Sequence, residues 1–152
     1  MSKIILSQKY ISSICKLALN EDLYPSGDIT TSLIKYGTNK SAKIISNGQG
    51  ILAGTDFVKH TFNLIDRKLI VSFKKKNGSI IKKGEVICVI QGEIKNILIG
   101  ERVALNFLSH ISGIATQTNK YLKIVKGKCK ICCTRKTTPT LRVIQKYAVR
   151  IG

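Results

Sequence analysis

Residues 134–136 read Thr-Arg-Lys, with Cys132 and Cys133 before them and Thr137, Thr138 and Pro139 after them. An arginine offers a planar fork that grips a carboxylate or phosphate through two parallel hydrogen bonds, and a lysine adds a mobile point charge. The neighbouring hydroxyls can serve the oxygens that the cations leave. The flanks say how this cluster is carried. "KCKICC" reads as a strand, and Leu141, Ile144, Tyr147 and Ala148 give one apolar face to a helix over 139–150. Pro139 suits the first helical position, with Thr138 as its cap. The cation pair then lies past the carboxyl end of a strand and ahead of a helix amino end, where α/β proteins bind ligands. The chemistry is an anion cradle for phosphate or carboxylate. It lacks the glycines of a phosphate-binding P-loop or a dinucleotide fingerprint.

The remaining arginines sharpen this picture. The chain is strongly basic, +18 overall, with 26 Lys+Arg against 8 Asp+Glu. Only five of those cations are arginines: Arg67, Arg102, Arg135, Arg142 and Arg150. Lysine is scattered along the whole length and reads as solvated surface, whereas arginine collects in the last third. Arg102 opens the strongest helical stretch, "GERVALNFLSHISGIATQTNKYLKIV". There a cation in the first turn would oppose the helix dipole that Glu101 favours. The apolar face of that helix is Ala104, Phe107, Leu108, Ile111, Ile114, Ala115 and Leu122, with Gly113 and Ala115 small enough for close backbone approach.

The elements ahead of this helix must position it. A first helix over 8–19 is predicted from Ile11, Ile14, Cys15, Ala18 and Leu19, with Ser7 as cap. "EDLYPSGDITTSLI" reads as turn and loop. "SAKIISNGQGILA" reads as two short strands about a Gly-rich turn, and Thr55 as the cap of a helix over 56–65 buried through Phe57, Val58, Phe62 and Ile65. "LIVSF" and "KKKNGSIIKKGEVICVIQGEIKNIL" read as strands with turns at Asn77-Gly78 and Lys83-Gly84. Their spacing resembles the compact β hammerhead of biotinyl and lipoyl carriers, but no lysine stands in a carrier context.

Several classes of function are disfavoured. With 43% hydrophobic residues and 2 prolines the chain can bury a core. No apolar run approaches the ~18 residues of a membrane span, and the opening residues lack a leader's cleavage site. Five cysteines without a leader fit free thiols in a soluble cytoplasmic protein. Cys129 and Cys132 have C-x-x-C spacing, open to zinc or redox chemistry, although a buried strand explains them more simply. A nucleic-acid module would want aromatics among its lysines, and Trp is absent.

Four stretches together resemble quinolinate phosphoribosyltransferase: "EDLYPSGDITTSLI", "GQGILAGTDFVKHTF", "GERVALNFLSHISGIAT" and "TRKTTPTLRVIQKYAV". They run in that family's order from about residue 21 onward. The resemblance implies an α+β chain: an amino-terminal α/β sandwich over 1–110, then a linking helix and the start of an α/β barrel over 111–152. "KCKICC" and 139–150 would be the first barrel strand and helix. It implies a pentosyltransferase that joins quinolinate to phosphoribosyl pyrophosphate, giving nicotinate mononucleotide, pyrophosphate and carbon dioxide, with Mg2+ accompanying the donor. Arg135 and Thr134 would hold a quinolinate carboxylate and Lys136 the donor's phosphate or the substrate's charge. Arg102 would be lent to the neighbouring subunit of a homodimer. Arg142 and Lys146 fall on family positions of the first barrel helix, in a mostly structural role.

The chain departs from the family pattern at Cys133, where an acidic residue is usual, at Thr140 for glycine, and at Asn77 for aspartate. It also stops before the family's Asn-His-Arg segment, a further lysine and its acidic residues. The resemblance therefore implies a fragment without activity of its own, with the molybdenum-transport-associated paralogue of the same fold, or a non-catalytic basic binding remnant, as alternatives. One barrel unit without its neighbours is expected to leave the apolar face of 139–152 bare.

Overall fold

The computed structural model describes residues 6–34 and 38–152. The leaderless reading of the amino terminus rests partly on the first five residues, which lie outside the described residues. Helix α1 spans Gln8–Asp22, and its Ser7 cap accepts the Tyr10 N–H at 3.2 Å. Between Asp28 and Ser32 the expected loop is instead one helical turn, α2 (Ile29–Ser32). The Asp28 carboxylate makes that turn by accepting the Thr31 N–H at 3.0 Å and the Thr31 hydroxyl at 2.5 Å.

Among the described residues five strands follow: β1 (Asn39–Ile45), β2 (Gly50–Ile51), β3 (Ile70–Phe73), β4 (Ile80–Ile81) and β5 (Val86–Glu93). They form two antiparallel sheets, β1-β5-β3 and β2-β4. Ile90 of β5 pairs with Ala42 on one side and Val71 on the other. The two short strands around the Gly-rich turn are thus not partners, because the turn carries the chain from one sheet to the other. The turns at Gly78 and Gly84 fall where expected. Helix α3 (Thr55–Ile65) lies between β2 and β3. Its cap is Gly54, at φ +94, and Thr55 is already inside the helix.

Helix α4 (Ile94–Val125) is 32 residues long and begins six residues ahead of Gly100. The stretch "IKNILIG" carries helical rather than strand spacing, and Gly100 does not interrupt it. Arg102 is therefore two turns inside the helix, beyond the reach of the dipole. Ala104, Leu108, Ile111 and Ala115 are buried as expected, while Leu122 is 42% exposed. Gly113 meets nothing nearby. The close approach is instead at Ala115, whose carbonyl would clash with any side chain on Gly152.

Two apolar cores share α4. Ile97, Ala104 and Leu108 pack with Val58, Phe62, Ile81, Ile87 and Ile90 over the sheet. Ile111 and Ala115 pack with Ile11, Phe57, Ile144, Tyr147 and Ala148. The second group contains helix α5 (Arg142–Ile151), so its apolar face is not bare. The α1–α3–α4 surface supplies the cover that the sequence reading sought in further barrel elements. Burial pushes the Cys15 and Cys88 thiols up to about 11, which keeps them neutral at physiological pH.

Beside β2 the α4 hydroxyls act as a substitute strand. Thr116 Oγ1 accepts the Ile51 N–H at 2.8 Å, and Ser112 Oγ accepts the Ala53 N–H and donates to the Ala53 carbonyl, both at 3.0 Å. A side chain on Gly50 would come within 2.6 Å of Thr116 Oγ1, so only glycine allows this approach. Thr116→Val keeps the shape but leaves the Ile51 N–H unpaired. It is expected to cost about 1–3 kcal/mol in urea unfolding, whereas a loss below about 0.3 kcal/mol would show that water replaces the bond.

Candidate anion-binding site

The segment after α4 does not form the predicted strand. Residues 128–133 have no ladder partner, and Cys129, Cys132 and Cys133 are exposed with free thiols rather than buried. A strand exists only through hydrogen bonds to a neighbour, and none lies alongside among the described residues. Nor do the described residues contain a group of three His, Cys, Asp or Glu side chains able to hold a metal.

Thr134, Arg135 and Lys136 are all exposed, on a loop braced from inside by α5. Lys136 N–H donates to Thr134 Oγ1 at 3.1 Å, and Thr137 N–H donates to the Arg135 carbonyl at 3.0 Å. Gln145 holds Thr138 twice: its Oε1 accepts the Thr138 N–H at 3.1 Å and its Nε2 donates to the Thr138 hydroxyl at 2.8 Å. The same Nε2 lies 3.4 Å from His110 Nε2, which ties the loop to α4. Arg142 Nε donates to Thr137 Oγ1 at 3.1 Å, and Lys146 Nζ lies 3.5 Å from Cys133 Sγ. Arg142 and Lys146 thus brace the loop. The Arg135 guanidinium and the Lys136 ammonium have no hydrogen-bond or ion-pair partner among the described residues. Backbone bonds fix the loop and leave two cations outward, an arrangement ready for an anion.

Helix α5 starts at Arg142, three residues later than Pro139. Thr138 is consequently no cap. Its carbonyl accepts the Leu141 N–H at 3.1 Å, closing a turn across Pro139 and Thr140. That turn needs Thr140 at φ +68, in the left-handed region that disfavours a β-branched residue. The family pattern's glycine at this point suits the turn, which closes before α5 begins.

Arg102 is not joined to the loop. Its Nη1 donates to Asp22 Oδ1 at 3.0 Å, across from α4 to the last turn of α1. This bond raises the Arg102 pKa further above its ordinary value. His110, which does touch the loop assembly, is eight residues on, about 12 Å along the helix axis. Two further contacts were not legible in the sequence. Asn77 Oδ1 accepts the Thr55 N–H at 3.1 Å, and Asn77 Nδ2 donates to the Tyr147 hydroxyl at 3.2 Å, linking a hairpin tip to α5. An aspartate there could accept both bonds with the phenol as donor, which makes the departure at Asn77 conservative. Gln145, seven residues after Thr138, carries no motif signal at all.

The loop and α5 themselves offer magnesium no carboxylate. Positions 102–152 contain neither Asp nor Glu, and a hard cation needs oxygen ligands. Relief of the strained turn is directly measurable. Thr140→Gly is expected to raise stability by roughly 0.5–1.5 kcal/mol, the left-handed penalty less the extra chain entropy of glycine. A glycine variant no more stable than Thr140→Ala would contradict the strain.

Comparison with known proteins gives one answer along the chain. Residues 28–112 match the profile of the quinolinate phosphoribosyl transferase N-terminal domain, and residues 114–152 match that of the C-terminal domain. A probable nicotinate-nucleotide pyrophosphorylase [carboxylating] of Bacillus subtilis (strain 168) is 41% identical over 128 residues, covering 84% of this chain and 44% of the relative. One from Archaeoglobus fulgidus is 41% identical over 131 residues, covering 84% and 49%. The solved nicotinate-nucleotide pyrophosphorylase of Francisella tularensis superposes with a TM-score of 0.93 at 32% identity, covering 100% of this chain and 55% of that one. The chain spans about half the length of the relatives it matches. With the sandwich, the long helix and the Thr-Arg-Lys loop all accounted for, the chain belongs to the quinolinate phosphoribosyl transferase family.

Proposed function

We propose that this chain provides the sandwich and the first substrate-binding segment of a quinolinate phosphoribosyltransferase of NAD synthesis. The observation that carries the reading is the braced loop. Arg135 and Lys136 stand outward without internal counter-ions while Gln145, Arg142 and Lys146 hold the loop from behind. Quinolinate carries two carboxylates on adjacent ring carbons, which suits an arginine fork with Thr134 beside it. Lys136 serves the donor's phosphate or the substrate's negative charge. Loss of pyrophosphate leaves positive charge at the ribose, so positioning and electrostatics carry the reaction. Magnesium enters this reading only as a companion of the donor's diphosphate.

The reading includes a homodimer in which Arg102 completes the neighbour's pocket. A cytoplasmic location belongs to it as well. Among the described residues no helix is long and apolar enough to cross a membrane.

Activity of the 152-residue polypeptide alone is the first test. It is expected to form no nicotinate mononucleotide, since Arg135 and Lys136 stand exposed on an open loop. Fused at residue 152 to the second half of the Bacillus subtilis relative, it is expected to become active. Arg135→Lys in that fusion should then lower kcat/KM for quinolinate by roughly tenfold to a hundredfold, the equivalent of about 1.5–3 kcal/mol for a hydrogen bond to a charged group. Product formed by the polypeptide alone would falsify the incomplete-pocket reading, and an Arg135→Lys fusion at full efficiency would remove Arg135 from the site.

A further inference from the structure

Asp22 sits where nothing in its own helix favours it. It is the last residue of α1, at the negative end of the helix dipole, and that turn holds no basic residue. Its carboxylate side chain is only 19% exposed, yet its partner, Arg102, is 71% exposed. The buried member of the pair is thus the anion, and the cation stands on it. The bond runs through a single nitrogen, Nη1, at 3.0 Å. The guanidinium carries five N–H donors, so the rest of the fork remains for another carboxylate.

The surroundings argue that this pairing is directional. Asp28 and Glu101 also act on Arg102 electrostatically. An arginine with several acidic neighbours could sample many orientations over a long, flexible stem. One charge-assisted bond to a largely buried carboxylate selects one of them. The two partners are 80 residues apart in sequence, and α1 and α4 are both fixed by the core around Ile11, Phe57 and Ile111. The anchor is therefore a rigid one.

We infer that Asp22 is a positioning residue, which holds Arg102 by one Nη and presents the remainder of its fork for a quinolinate carboxylate in the neighbouring subunit's pocket. This rests on the reading of Arg102 given above. It accounts for two separated motif segments by one contact: Asp22 in "EDLYPSGD" and Arg102 in "GERVALNF". Asp22 touches no substrate in this account and acts only through Arg102.

Two measurements decide it. The first uses the 152-residue chain. In nitrogen-15 spectra the Arg102 Nη groups should rotate slowly in the wild type, rotate freely in Asp22→Asn, and be slowed again in Asp22→Glu. Equally free rotation in the wild type and Asp22→Asn overturns the anchor. The second uses the active fusion described above. Asp22→Asn should raise the quinolinate KM at least fivefold while kcat and the KM for phosphoribosyl pyrophosphate stay within about twofold. Asp22→Glu should recover most of the loss. A fall in kcat with an unchanged quinolinate KM, or no change at all, overturns the proposal. If Arg102→Lys itself leaves the quinolinate KM untouched, the assignment of Arg102 fails, and the positioning role falls with it while Arg135 stands on its own test.

Discussion

Much of this structure depends on two hydroxyls. Ser112 and Thr116 meet the exposed edge of β2 and replace the strand that is missing there. The match is metric. Backbone N–H groups two residues apart on a strand are separated by about 6.7 Å, and side chains four apart on a helix rise by about 6 Å. The N–H groups of Ile51 and Ala53 therefore find their acceptors on consecutive turns of one helix face. Gly50 permits the approach, and Gly54, at φ +94, turns the chain away into α3 where a side chain would strike Ile111. The stretches "GQGILAG" and "SGIAT" are two halves of a single contact.

Once α4 is locked to β2, the rest is registered by its length. Its first half closes the core over the sheet, and its second half offers Ile111 and Ala115 to α5. Its exposed face carries Arg102 toward Asp22 and, two turns later, His110 toward Gln145. Helix α5 packs through Ile144, Tyr147 and Ala148, and in doing so sets the loop that displays Arg135 and Lys136. Sheet, helix and loop thus communicate through one rigid element rather than through a chain of mobile parts. That rigidity is what an anion site built on positioning requires.

The sequence revealed elements whose spacing is periodic and local. The faces of α1, α3 and α5 were readable because each buries residues at helical intervals, and the turns at Gly78 and Gly84 because glycine marks positive φ. The two largest misses have definite reasons. The start of α4 was missed because β5 passes into it with no intervening loop, although "IKNILIG" itself has helical spacing. The strand expected over "KCKICC" did not form because a ladder is a property of two segments, and composition describes only one. The site divided in the same way. Thr134, Arg135 and Lys136 stood out by type and order, and the resemblance added Arg102. Their supports, Gln145 for the loop and Asp22 for Arg102, were invisible because each is a long-range or through-helix contact with no spacing rule. Thr140 carried a signal in the departure from glycine, but its meaning required the backbone angle.

In the proposed enzyme, Arg135 of one chain and Arg102 of another converge on the same substrate. A crystal structure of an enzyme containing this chain, grown with quinolinate, addresses it directly. One quinolinate carboxylate is expected on Arg135 and Thr134, with Arg102 of the partner subunit reaching the same ring while still bonded to its own Asp22. Quinolinate bound with neither arginine, or with Arg102 and Arg135 from a single chain, would contradict it.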